Sequence, residues 1–180
     1  MKLFRMSVGS LLDEVTTTYP EKEALVDISN SKRLSYKQFL RLTNQLAKGL
    51  LKLGFEKGEH LALWAPNNFE WIITQFAVAK IGGILISIDT NVQVQELEYI
   101  LKQSDSTYLV LAEGLKGSEY IDAIHRLCPE VSVSIPGQIN SSKLPELRNI
   151  ILTSDCSSPG MFNWNNILEA GTDVPDTLLS

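Results

Sequence analysis

Four short apolar runs without polar alternation constrain this chain more than any other feature. They are Leu61-Ala-Leu-Trp-Ala65, Ile84-Leu-Ile-Ser-Ile88, Tyr108-Leu-Val-Leu-Ala112 and Asn149-Ile-Ile-Leu152. A strand with one face in water alternates; a strand apolar on both faces is covered on both, as in a parallel sheet. Helical segments separate the runs, over Phe69–Ile81, Val94–Gln103 and Ser118–Leu127. Parallel neighbours need such crossovers, which are right-handed. The expectation is an α/β fold: a doubly wound, mainly parallel sheet with helices on both faces.

The first 58 residues read differently. Val8, Leu11, Leu12 and Val15 recur at helical spacing, and Tyr19-Pro20 ends that helix. Ala24–Ile28 and Arg33–Tyr36 flank the polar turn Ser29-Asn30-Ser31-Lys32, which predicts a small N-terminal β-hairpin. Ser35 then caps a long amphipathic helix with Phe39, Leu42, Leu46, Leu50 and Leu53 on one face and Gly54 as its stop. The helix over Phe69–Ile81 is apolar nearly all round, so it should lie deep or against another domain.

Pro129 ends the last covered helix, and Ser134–Leu147, with two prolines and an Asn-Ser-Ser-Lys cluster, reads as a long surface connection. Trp164–Ala170 is a last short helix with Gly171 after it. The expected division is an ordered subdomain over 1–172 and a disordered tail over 173–180.

At 180 residues the chain fits one ordinary domain, and 44% apolar with 21% charged residues is a globular composition. A net charge of −5 without a dense Lys/Arg block gives nucleic-acid binding no electrostatic support. No stretch approaches the roughly 20 apolar residues of a transmembrane segment. The start, Met1–Ser7, lacks a signal core, so a cytoplasmic chain is expected. Cys128 and Cys156, without further ligands at metal spacing, are expected as partly buried free thiols.

In an open α/β sheet, ligands sit beyond the carboxyl ends of the strands. The loops there are Pro66-Asn67-Asn68, Asp89-Thr90-Asn91 and Glu113-Gly114-Leu115-Lys116-Gly117. Asn67 and Asn68 can offer amides to a substrate, but an Asn before a helix more often caps it. Asp89 and Thr90 are read as turn formers. Glu96 and Glu98, two apart on a helix, point in different directions and make no acid/base pair. His60 and His125 have neither a nucleophile nor a metal partner nearby in sequence. Gly82-Gly83 and Gly114–Gly117 are too short for phosphate cradles, and Thr153–Gly160 lacks the lysine of one. No catalytic or metal-ligating residue can be assigned from the residues alone.

The words Gly58-Glu-His-Leu-Ala-Leu-Trp-Ala-Pro-Asn-Asn-Phe-Glu-Trp71, Gln75-Phe-Ala-Val-Ala-Lys-Ile-Gly-Gly83 and Glu96-Leu-Glu-Tyr-Ile-Leu-Lys-Gln-Ser104 resemble the N-terminal part of the AMP-forming acyl-CoA synthetases. These belong to the adenylate-forming superfamily. Leu11–Val26, Ser35–Gly54 and Cys128-Pro-Glu130…Leu147–Leu152 fit as well, the last resembling the medium-chain fatty-acid branch. The resemblance implies a partial first subdomain of an enzyme that uses ATP, Mg and coenzyme A to turn a fatty acid into its CoA thioester through an acyl-adenylate. The family's phosphate loop and catalytic lysine match nothing before Ser180, so the chain alone is expected to be inactive. In related enzymes a basic residue near the loop after Tyr108–Ala112 can meet the coenzyme A phosphates, and Lys116 is the candidate here. A subdomain parted from the rest of its enzyme is also expected to self-associate through exposed apolar surface. The alternatives are another adenylating enzyme (an aryl-CoA ligase or a peptide-synthetase domain) or a non-catalytic interaction module.

Overall fold

Residues 6–28, 31–117, 119–154 and 156–179 are described by a computed structural model. The four apolar runs form β3 (His60–Trp64), β4 (Ile84–Ser87), β5 (Tyr108–Leu111) and β6 (Asn149–Leu152), all parallel. A two-residue strand, β7 (Phe162–Asn163), joins the sheet beside β6 and was not expected from the sequence. The order is β4-β3-β5-β6-β7, so the chain moves one way from β3 to β4 and then back past β3 to β5. β3, β5 and β6 are buried almost throughout. β4 is the exception to the expected two-sided cover. It lies at the sheet edge, where Ile84 and Ser87 are exposed and Leu85 and Ile86 are half-buried.

Helices α3 (Phe69–Lys80), α4 (Val94–Gln103) and α5 (Glu119–Leu127) supply the crossovers. α3 packs with α1 (Val8–Thr18) and α2 (Tyr36–Lys52), whereas α4 packs with α5, which is the two-sided cover of a doubly wound sheet. α2 begins with a capping box. Ser35 Oγ accepts from Gln38 N at 3.3 Å, while Ser35 N donates to Gln38 Oε1 at 2.9 Å. That arrangement satisfies two backbone donors at once. Strands β1 (Glu23–Asp27) and β2 (Lys32–Ser35) form the antiparallel hairpin; Ser29 and Asn30 of its turn lie outside the described residues.

α1 buries a different face from the one its apolar spacing suggests. Gly9, Leu12 and Thr16 turn inward, and Val8 and Leu11 stay 50% and 46% exposed. The reason is contact distance. A side chain at Gly9 would place its Cβ 2.9 Å from the Lys80 Cα, so only glycine lets α1 settle on α3. The same device joins α2 to α6 (Trp164–Thr172). There Gly49 meets Ile167, and Gly171, which lies inside α6 rather than after it, meets Gln45.

The long connection 134–147 is less superficial than its composition suggests, since Ile139, Ser141, Leu144 and Leu147 are buried. Ser141 Oγ donates to the sulfur of Cys128 and accepts from Lys143 N and Leu144 N. Cys128 is therefore a core residue, while Cys156 is exposed. In the stretch expected to fray, Asp176–Leu179 forms a 3-10 turn whose Asp176 meets Lys48 of α2. No helix among the described residues is long and apolar enough to cross a membrane.

Candidate functional site

The strand order reverses beside β3, so the loops after β3 and β4 part from the loop after β5 at the carboxyl edge. A crevice opens where loops diverge in this way. It is a cavity of about 320 Å³ lined by Asn67, Trp71, Asp89, Thr90 and Leu115 among others.

An aromatic pair holds the loop after β4, which forms one wall. Trp64, the last residue of β3, stacks on Tyr120 of α5 with ring centroids 3.9 Å apart and planes 19° from parallel. The Trp64 indole Nε1–H donates to the Asp89 carbonyl at 3.1 Å, and the Tyr120 hydroxyl donates to the Thr90 carbonyl at 2.9 Å. Two buried rings thus hold two successive carbonyls of the loop after β4. Burial raises the Tyr120 pKa above its ordinary value, so the phenol stays a donor.

The polar residues singled out from the sequence divide by role. Asn68 is a cap: its Oδ1 accepts from Trp71 N at 2.9 Å. Asp89 makes an Asx turn, its Oδ1 accepting from Asn91 N at 2.7 Å and from Asn91 Nδ2 at 3.0 Å. Asn67 is exposed and faces the crevice. Glu98 pairs with Lys102 along α4, at 2.6 Å, rather than with Glu96. His60 Nδ1 bonds the Ser104 carbonyl, and His125 lies on α5 with its Nε2 buried and unpaired among the described residues. Both are packed histidines.

The loop after β5 is closed by its own carboxylate. Glu119 Oε1 accepts from Leu115 N at 2.8 Å and from Lys116 N at 2.7 Å. Backbone amides, its own first and then that of Lys116, hold the Glu119 carboxyl below the usual range. The amides that could cradle a phosphate are therefore occupied, and Lys116 can offer only its ammonium. Nearby, the Cys156 thiol is the chief hydrogen-bond partner that lowers the Glu113 pKa, linking the ends of β5 and β6.

Neither the aromatic clamp nor the Glu119 lock was read from the sequence. Trp64 and Tyr120 are far apart along the chain, and the only local signal is a Trp closing an otherwise aliphatic strand. Among the described residues no three His, Cys, Asp or Glu side chains gather as a metal site.

Fold and edge together define a doubly wound α/β subdomain with its ligand-facing loops at one end. Residues 12–160 match the family described as AMP-binding enzyme, and the chain belongs to that family. It is 39% identical over 178 residues to YngI of Bacillus subtilis (strain 168), named as an acyl-CoA synthetase, covering 99% of this chain and 32% of that protein. It is 35% identical over 166 residues to the mitochondrial medium-chain acyl-CoA ligase ACSF2 of Danio rerio, covering 92% and 27%. The chain thus spans about a third or less of the length of these relatives. Among solved structures, the anthranilate CoA ligase AuaEII in complex with anthranoyl-AMP superposes with a TM-score of 0.77 at 22% identity, covering 98% of this chain and 29% of that one. The N-terminal domain of FACL13 from Mycobacterium tuberculosis gives 0.70 at 23% identity, covering 95% and 37%. These likenesses show the fold.

Proposed function

We propose that this chain is the first subdomain of an ATP-dependent acyl-CoA ligase acting on a medium- or long-chain fatty acid, through an acyl-adenylate and then the CoA thioester. The observation that carries the reading is the 39% identity to YngI across 99% of the chain, joined by the ACSF2 ligases. In this reading residues 1–172 are the subdomain body, a rigid platform for machinery supplied by the rest of a longer protein. Fatty acid, ATP, Mg and coenzyme A are met by that whole enzyme. In this reading the platform alone does not adenylate, because the phosphate loop and catalytic lysine of the family match nothing in residues 1–180. The reading includes a cytoplasmic location.

Two assays test it. The purified 180-residue chain, given Mg-ATP and fatty acids of graded length, should release no pyrophosphate. The same chain joined to the remaining two thirds of a relative's length should release it, and should trap acyl-adenylate as hydroxamate with a medium- or long-chain acid. Pyrophosphate from the short chain, or preference of the long one for an aryl acid, would overturn the proposal.

Lys116 is proposed as a contact for a phosphate of coenzyme A, through its ammonium alone. The supporting facts are its place on the loop after β5 and the capture of its amide by Glu119. In the full-length enzyme Lys116→Ala should raise the coenzyme A KM and leave the ATP KM unchanged; an unchanged coenzyme A KM refutes it. Exposed Val8 and Leu11 on α1 and Ile28 beside the hairpin support self-association of the isolated chain, which light scattering would detect as particles larger than a monomer.

A further inference from the structure

A second pocket, of about 350 Å³, lies away from the carboxyl edge, among α1, α2 and the turn after α6. Its long wall is one stripe of α2, where Lys37, Arg41, Asn44 and Lys48 follow one another at helical spacing. Thr16 of α1 closes one side and Asp176 of the 3-10 turn another.

Three observations mark it as built for an anion. First, the Lys48 side chain is only 10% exposed, yet its ion-pair partner, at 2.9 Å, is an Asp176 carboxylate that is 83% exposed. A buried cation needs a well-seated counter-charge, whereas a pairing with a largely hydrated carboxylate is weak. Second, no ion pair of Arg41 exists among the described residues, and that of Lys37 with Glu21 is long, 3.9 Å, and exposed at both ends. Arginine offers a planar fork matched to phosphate. Third, Thr16 Oγ1 and Asn44 Oδ1 are buried without a hydrogen-bond partner among the described residues. Buried polar atoms are ordinarily satisfied, so two orphans in one pocket signal a missing partner. Thr16 can donate its hydroxyl proton, and Asn44 can donate its amide after a flip about the last side-chain torsion.

We propose that this pocket binds a phosphate-bearing small molecule, with Asp176 as the displaceable occupant of its innermost cation, Lys48. The ligand phosphate takes the place of the Asp176 carboxylate, draws in the Arg41 guanidinium and satisfies Thr16 and Asn44. The turn at Asp176–Leu179 then swings away from α2. The pocket lies outside the crevice at the carboxyl edge, so the inference stands or falls separately from the proposed ligase activity.

The test is a titration of the 180-residue chain with inorganic phosphate at constant ionic strength, read by amide chemical shifts and calorimetry. Saturable shifts confined to residues around Thr16, Arg41, Asn44, Lys48 and Asp176 are expected. Asp176→Asn removes the competitor and should tighten binding several-fold; Arg41→Gln, at an exposed position, should weaken it about tenfold. Both variants should keep the wild-type circular dichroism, so a lost fold cannot imitate lost binding. Shifts that do not saturate, or an affinity unmoved by Asp176→Asn, would overturn the proposal.

Discussion

Placing a methyl group on Gly171 tests how the α2 and α6 helices are held together. An added Cβ would lie 2.9 Å from both the Gln45 carbonyl carbon and the Gly49 amide nitrogen, and would overlap the Gln45 carbonyl oxygen. Non-bonded carbons rest about 3.5–4.0 Å apart, so the helices must separate by roughly 1 Å. All three opposing atoms are backbone, and no rotamer change relieves them. Overpacking costs about 1–3 kcal/mol, and a rigid obstacle puts this site at or above the upper end. Alanine returns about 1 kcal/mol of helix propensity. The net expectation for Gly171→Ala is a loss of about 2 kcal/mol, or about 4–8 °C in Tm for a chain of this size. Urea unfolding followed by tryptophan fluorescence is a suitable assay, because Trp164 is buried at the start of α6. Gly49→Ala, whose Cβ would meet Ile167, should cost a similar amount. The double variant should cost clearly less than the sum, since one separation relieves both clashes. An unchanged or raised Tm for Gly171→Ala, or full additivity, would refute the argument.

Burial pushes the Tyr108 phenol up to about 12, and its hydroxyl donates to the Leu53 carbonyl at 3.0 Å. A raised folded pKa means that this stabilisation is whole below pH ~10, the unfolded value, and is lost as pH climbs toward about 12. Urea titrations across that range should show the loss, and Tyr108→Phe should diminish it. The Glu119 carboxyl is held low, so its contribution is present above the unfolded value of about 4.3 and disappears as pH falls through the lower folded value. Glu119→Ala should free the Leu115 and Lys116 amides and speed their hydrogen exchange at neutral pH, while exchange in β5 stays unchanged. Tyr120→Phe leaves the Thr90 carbonyl without its donor and should cost about 1 kcal/mol by chemical unfolding, with faster exchange confined to the loop after β4.

Most of the sheet was legible because its signal is local. An apolar run with no alternation announces a covered strand, and the segment between two such runs must cross over. The caps at Ser35 and Asn68 were readable for the same reason, since cap and capped amide lie within one turn. The face of α1 was misread because glycine carries no hydropathy signal, although it decides which side can approach α3. β7 was missed because a two-residue strand has no period. At the carboxyl edge the sequence identified the loops but not their closure. The Trp64–Tyr120 stack and the Lys48–Asp176 pair join residues that only the finished fold brings together.

The strand order also sets how this chain must reach its native state. Outside the small hairpin and the short β6–β7 pairing, the rungs of the sheet join distant residues: His60 with Ile84, Leu61 with Tyr108, Tyr108 with Asn149. Loop-closure entropy falls due before such pairings return anything, which makes topologies of this kind slow to fold. During synthesis, β3 leaves the ribosome first and meets β4 on one side, while its greasy inner edge stays unzipped until β5 is made.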